Sequence, residues 1–448
     1  MDEGGARADA GPHAKDQESH RPEQHHESWK ALRRGWDVRM GKYSWMAHAF
    51  FFGTSFIAKK RIISGFLSSK KYLKVPSEHT HTNMKDLLKC AICPNMCRFE
   101  CPSLRVTQKE MYSPATKARI SYLIERGVLD SRDPHTAEVP YLCTNCDGCR
   151  NWCAMDISTG KLLKGVRADL VERGHVSDEL KSFNERVLEN RTTFTKDTFS
   201  SHPEYNIEAG NPEVFYYIGC VMAEKKPEAV MANLSILKKA GIRFSTHASE
   251  RQCCGGPSFT VGFRETTRAL GEQNLALLEK SGASTIITDC PACKDTIQNT
   301  YLDLGLKHKF RVMTTAEYYK ALIEEGKLKP VKNVDMSITY HDPCIAARGF
   351  GDIETTRYIF SKIPGLEVKE PFLNKKETQC CGMGGVSHVH HPKVSEAIGS
   401  QRYEQLIKTG ADKLVTACPA CEEGFIIASK GNPRFILDIS EILIQSLD

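Results

Sequence analysis

All eighteen cysteines of this 448-residue chain fall into four ordered sets, and none is left over. Cys90, Cys93, Cys97 and Cys101 form the first set, and Cys143, Cys146, Cys149 and Cys153 the second. Cys220, Cys253, Cys254, Cys290 and Cys293 form the third; Cys344, Cys380, Cys381, Cys418 and Cys421 repeat it. Any fold the chain adopts has to bring each set together. Short Cys-x2-Cys ladders that consume every thiol suit iron–sulfur clusters, and so electron transfer, better than a disulfide framework.

The N-terminus, Met1-Asp2-Glu3-Gly4-Gly5, has no basic lead followed by an apolar run, so a reducing cytoplasm is expected, where thiols serve metals rather than bridges. The formal charge of +6 is unevenly spread. Between Ser28 and Val75 eleven basic residues face one acid, Asp37, leaving the rest of the chain net acidic. That pattern does not suggest nucleic-acid binding by the body. Trp29, Leu32, Trp36, Met40 and Tyr43 recur at helical steps, and Trp45 to Ala58 is aromatic and apolar but shorter than a bilayer span. Residues 28–75 therefore read as a peripheral contact with a membrane surface or a membrane subunit, on the cytoplasmic face.

The expected organisation is a polar disordered tail (1–27), the basic docking segment (28–80), a helical two-cluster ferredoxin module (81–165), a linker (166–210) and two tandem α/β domains (211–330 and 331–448). The duplication is explicit. Cys220 to Cys344 is an offset of 124, Cys253 to Cys380 of 127 and Cys290 to Cys418 of 128. Ser113-Pro114 followed by an apolar stripe predicts a helix through Ile124. Val214–Ile218, Thr285–Thr288, Ser337–Tyr340 and Lys413–Thr416 read as strands running into Cys220, Cys290, Cys344 and Cys418. Alternation with helices, as at Pro227 to Gly241, implies parallel sheets with the thiols beyond their carboxyl ends.

The second set, Cys143-x2-Cys146-x2-Cys149-x3-Cys153, has the bacterial ferredoxin spacing, with Ala154 where Pro is usual. The first set is one residue longer between Cys93 and Cys97 and keeps its Pro102. The cross-over rule for two-cluster modules expects Cys90, Cys93, Cys97 and Cys153 on one cubane [4Fe-4S] cluster, and Cys143, Cys146, Cys149 and Cys101 on the other. A four-thiolate zinc site is the bland alternative. Each five-cysteine set exceeds what a cubane needs, which argues for chemistry beyond simple storage of an electron. Gly255 and Gly382, after the paired cysteines, would allow positive φ and close approach to a cluster. Cys290-Pro291-Ala292-Cys293 and Cys418-Pro419-Ala420-Cys421 would open helices.

On these residues the chain resembles the CCG-domain iron–sulfur proteins of the heterodisulfide reductase type: Cys, about thirty-five residues, Cys-Cys-Gly, about thirty-five residues, Cys-x2-Cys, twice over. A ferredoxin module ahead of two such domains is most similar to the D-subunit arrangement, over roughly residues 85–448. The resemblance implies a noncubane [4Fe-4S] cluster in each repeat, with a substrate disulfide held between them and each cluster taking one sulfur and passing one electron. It implies electrons from a membrane cytochrome b, a quinone-reactive subunit or a flavoprotein. His388, His390 and His391 are candidates to protonate a leaving thiolate, against a packing or surface role. Relatives sharing these modules also include non-catalytic relays between flavin dehydrogenases (glycerol-3-phosphate, glycolate or lactate type) and quinone, and that alternative stays open, as does a zinc-stabilised scaffold. No G-x-G-x-x-G follows a strand, so neither NAD nor flavin is expected in this chain.

Overall fold

Proline and small polar residues set the helix starts that build the first half of the fold. The computed structural model describes residues 81–196, 198–430 and 435–448. The expectations for the polar tail and the basic docking segment lie outside the described residues. Helix Pro114–Glu125 begins with Pro at its first position, and the Ser113 hydroxyl accepts from the Thr116 amide, as the sequence predicts. Helix Met84–Ile92, capped by Asn83, packs against it through Leu87 and Ala118, both fully buried. Helix Thr159–Glu172, capped by Ser158, runs through the expected boundary at 165/166 and carries the module directly into helix Asp178–Asn190.

Each repeat is a four-stranded parallel sheet. In the first, β1 (Val214–Tyr216), β2 (Phe244–Ser245), β3 (Thr285–Thr288) and β4 (Arg311–Thr314) lie in the order β2-β1-β3-β4. In the second, β5 (Met336–His341), β6 (Leu366–Val368), β7 (Lys413–Thr416) and β8 (Ile436–Asp438) lie in the order β6-β5-β7-β8. The central strands are buried on both faces, as parallel sheets covered by helices require. β1 ends earlier than expected. Tyr217 still donates its amide to the Ile287 carbonyl at 2.8 Å, but the chain then turns into the Cys220 helix.

The repeats pack with an internal two-fold relation. Helix Pro227–Lys239 of the first meets helix Ile439–Ser446 of the second, and helix Thr315–Glu324 meets helix Thr355–Ser361. One apolar core runs across the junction, with Leu234, Leu237, Tyr319, Ile359, Phe360, Ile442 and Leu443 all 1% exposed or less. Matching capping boxes, Thr314 with Glu317 and Asp438 with Glu441, start the equivalent C-terminal helices of the two repeats. This symmetry turns the carboxyl ends of both sheets toward one another.

Candidate metal centres

In the helical module two cavities are lined by thiols. Cys90, Cys93, Cys97, Cys149 and Cys153 line the first; Cys101, Cys143, Cys146 and, again, Cys149 line the second. The last cysteine of each run thus crosses to the other run's cavity. Pro102 starts a short helix just after Cys101, and Asn145 and Asp147 adopt left-handed φ values of 54° and 55° that wrap the second run around its cavity.

In the repeats the thiols stand where strands end. Cys290 and Cys418 follow β3 and β7 and cap helices that open with Pro291 and Pro419. Cys220 opens a helix just beyond β1, and Cys344 leads into a π-helical turn, Ile345–Phe350, beyond β5. Gly255 and Gly382 have φ of 79° and 93°. A Cβ on Gly255 would press on Thr267, and one on Gly382 would collide with the Ser395 carbonyl. These glycines let the Cys-Cys turn close against the following helix, while the Gly382 amide points at the Cys380 sulfur at 3.3 Å.

The four sets form one line of sulfur. Cys97 faces Cys149 between the two ferredoxin sets. Cys146 does the same with Cys380, at the edge of the second repeat. From there contacts run through Cys381, Cys421 and Cys418, cross to Cys290 of the first repeat, and continue through Cys293, Cys254 and Cys253 to Cys220. Cys344 stands beside Cys381 and Cys146, its thiol pushed up to about 12 chiefly by burial. Apart from Cys344, every thiol of the repeats is at most 8% exposed. Within the line protons are shared. Contacts with Cys253 and Cys293 hold Cys254 well below the ordinary thiol value, while contacts with Cys220 and Cys254, and burial, push Cys253 well above it, and contacts with Cys254 and Cys290, and burial, do the same to Cys293. So many buried sulfurs can all be thiolates only beside metal cations, so the donor sets fit iron–sulfur clusters.

The comparisons with known proteins agree with this layout. The model of the cysteine-rich CCG domain matches residues 214–298 and 338–425, and that of the 4Fe-4S dicluster domain matches residues 86–157. The chain carries two cysteine-rich CCG domains behind a 4Fe-4S dicluster domain. It is similar to the D subunit of the dihydromethanophenazine:CoB–CoM heterodisulfide reductase of Methanosarcina barkeri, 29% identical over 316 residues, covering 68% of this chain and 77% of that one. The B subunit of the fumarate reductase (CoM/CoB) of Methanothermobacter marburgensis is 29% identical over 284 residues, 63% of this chain and 56% of that one. The EtfAB:quinone oxidoreductase of Syntrophomonas wolfei is 25% identical over 345 residues, 70% of this chain and 47% of that one.

Several residues around the CCG and dicluster sites carry no sequence signature. Lys117 is buried with its Nζ 3.5 Å from the Cys101 sulfur and 3.3 Å from the Leu142 carbonyl. Burial pulls its ammonium down, but the thiolates of Cys101, Cys143 and Cys149 outweigh that and hold it protonated. Arg167, fully buried, donates to the carbonyls of Pro140, Cys143 and Thr260 and so ties the dicluster module to the first CCG domain. Arg348 plays the matching part for the second, donating to the carbonyls of Cys146, Lys376 and Thr378. Arg251 lies behind the first CCG set, 4.0 Å over the Phe199 ring and 4.8 Å over Tyr217.

Flanking the Cys290–Cys418 contact, the two-fold relation places different chemistry on its two sides. On one, Lys226 sits 3.1 Å from Glu441 and 3.5 Å from Glu422, all largely buried. On the other, Lys294 pairs with Glu317 at 2.6 Å and lies 4.1 Å over the Phe350 ring. The histidine candidates are elsewhere. His390 stacks edge-on to Tyr141 of the dicluster module and His391 lies 3.3 Å from Glu138. Burial drives His390 down to about 3, so it is neutral and packs the module junction instead of serving the repeat interface as a proton donor. His341 is a residue that sequence reading missed: fully buried, it faces Cys381 and Cys421 of the second CCG set.

Proposed function

We propose that this chain is the catalytic iron–sulfur subunit of a disulfide reductase working within a complex. In this reading two cubane [4Fe-4S] clusters in the dicluster module feed two further, noncubane clusters in the CCG domains, and the reaction takes one disulfide, two electrons and two protons to two thiols. The observation that carries it is the meeting of the two five-thiol sets at Cys290 and Cys418, part-way along a sulfur line that begins in the dicluster module and ends at Cys220. Bound clusters would supply electrons one at a time. The polypeptide contributes a site closed to water, strand ends and helix starts that hold the thiols at fixed positions, and the buried cations Arg348 and Arg251, which offset the negative charge gathered there. Similarity to part of a heterodisulfide reductase supports a small thiol-derived disulfide as substrate. Electrons would come from a membrane cytochrome b, a quinone-reactive subunit or a flavoprotein, with the chain held at the cytoplasmic face of the membrane.

The test is anaerobic. The purified full chain should hold about sixteen irons and as many sulfides, and its oxidised form should show a paramagnetic signal that changes when 2-mercaptoethanol or a related small thiol is added. Cys290→Ser and Cys418→Ser should each abolish that change while dithionite still reduces the dicluster centres. Iron for two clusters only, or no response to any thiol, overturns the reading. A second reading, a relay between a flavin dehydrogenase and quinone, is favoured by the depth at which the CCG thiols are buried and by the similarity to an EtfAB:quinone oxidoreductase. Co-purification with a flavoprotein dehydrogenase, without thiol response, would support it.

A further inference from the structure

The two CCG sets are not equivalent, and the difference lies three residues ahead of their first cysteines. Tyr217 precedes Cys220 where His341 precedes Cys344. The Tyr217 hydroxyl donates to the Gln252 carbonyl at 2.5 Å. His341, the last residue of β5, is 1% exposed and lies edge-on to the Phe425 ring at 4.8 Å. One nitrogen of its ring lies within 4.8 Å of both the Cys381 and Cys421 sulfurs.

The exchange is coordinated with a second one. Asn274 in the first domain bonds the Cys253 carbonyl and the Tyr301 hydroxyl at 3.0 and 3.2 Å. At the equivalent place, 128 residues on by the Cys290 to Cys418 offset, stands Arg402. Arg402 is 1% exposed, and its Nε donates to His341 Nδ1 at 3.3 Å; its other nitrogens donate to the Leu373 carbonyl at 2.9 Å and Gln405 at 3.1 Å. A guanidinium only donates, so His341 Nδ1 must offer its lone pair, which leaves the ring proton on Nε2. A protonated Nε2 can donate to sulfur but cannot bind a metal.

We propose that His341 is a positioning residue of the second CCG centre, held by Arg402 so that Nε2–H donates to the Cys381 thiolate and raises the reduction potential of that centre. This rests on the reading that the CCG sets hold clusters. Hydrogen bonds to ligand sulfur stabilise the more negative, reduced state. The centre so tuned is the one that Cys146 of the dicluster module touches.

The experiment is a potentiometric titration, followed by EPR, of the anaerobic full chain and of His341→Phe and Arg402→Met, with iron and sulfide counted in each. The expected result is a lower midpoint for one centre, the one whose signal Cys381→Ser removes, with iron unchanged. An unshifted midpoint in both variants overturns the proposal. Pulsed EPR of unmutated protein labelled with 15N-histidine needs no variant to fold: a weak coupling at that centre supports the donor, and the strong coupling of a direct iron–nitrogen bond overturns it. A wild-type chain with iron for the dicluster module alone would instead count against the cluster reading on which this stands.

Discussion

Arg167 makes the strongest quantitative claim, because one buried side chain satisfies three carbonyls, one buried and two partly buried, in two modules. Its Nε and Nη2 reach the Pro140 oxygen at 3.1 and 2.9 Å, Nη2 also reaches Cys143 at 2.8 Å, and Nη1 reaches Thr260 at 2.9 Å. Arg167→Met keeps an unbranched apolar stem but removes the guanidinium over Tyr141 and leaves all three acceptors without this donor. Each stranded acceptor costs about 1–3 kcal/mol. Against that, removing the guanidinium recovers part of its own burial penalty, which already pulls its pKa down. The net loss should be about 3–5 kcal/mol at the junction, or ~150- to 4,000-fold in local opening. Hydrogen exchange followed by mass spectrometry on the anaerobic holoprotein reads this directly. Peptides covering Val139–Cys149 and Gly256–Phe263 should exchange faster by that factor, while those covering Thr355–Ser361 should not. Arg167→Lys, with a single ammonium in place of the fork, should fall between. Acceleration of less than about tenfold at the junction, or an equal rise in the control peptides, refutes the reasoning.

Burial pushes the Glu125 carboxyl from its ordinary 4.5 up to about 7, with Arg173 only partly offsetting it from 2.6 Å. The folded state therefore holds this proton more tightly. Its stabilisation is complete below 4.5 and is lost as pH rises through 7, a swing of about 3 kcal/mol. Thermal midpoints from pH 5 to 8 should fall more steeply in wild type than in Glu125→Gln; parallel profiles would refute it. Gly382→Ala forces a Cβ into the Ser395 carbonyl at φ 93°, whereas Gly410, at φ 67°, has nothing within 4 Å of a Cβ. The first should cost about 3 kcal/mol and the second about 1, by denaturation midpoint, and equal losses would contradict the close packing described. Cys153→Ser should remove about four irons and silence the centre lined by Cys90, Cys93 and Cys97 while sparing the other. Iron analysis with EPR checks this, and loss from the Cys143 set would refute the crossed grouping.

Helix starts and strand positions were legible because they depend on local chemistry. Ser113-Pro114 caps and opens a helix wherever it lies, and Leu414-Val415-Thr416 is a short β-prone stretch between Gly410 and the Cys418-Pro419 helix start. The sheets' outer strands were not legible. Arg311–Thr314 and Leu366–Val368 are short and mixed, and become strands because a neighbour already in place offers them hydrogen bonds. The crossing of Cys101 and Cys153 follows from spacing alone. Lys117, Arg167, Arg348 and His341 carry no such spacing. Each matters because of a carbonyl or a sulfur tens or hundreds of positions away.

By itself the sequence determined that four sets of thiols exist, that two of them are copies, and that each copy is a parallel sheet with its sulfurs past the strand ends. Those properties come from interactions between near neighbours and from the alternation of strand and helix. Only the tertiary structure decided the order in which the sets touch, Cys97 to Cys149, Cys146 to Cys380 and Cys418 to Cys290. It also decided that the copies differ at His341 and Arg402. Contact order depends on how helices pack across domain boundaries, and that is a property of buried surfaces that no local spacing encodes.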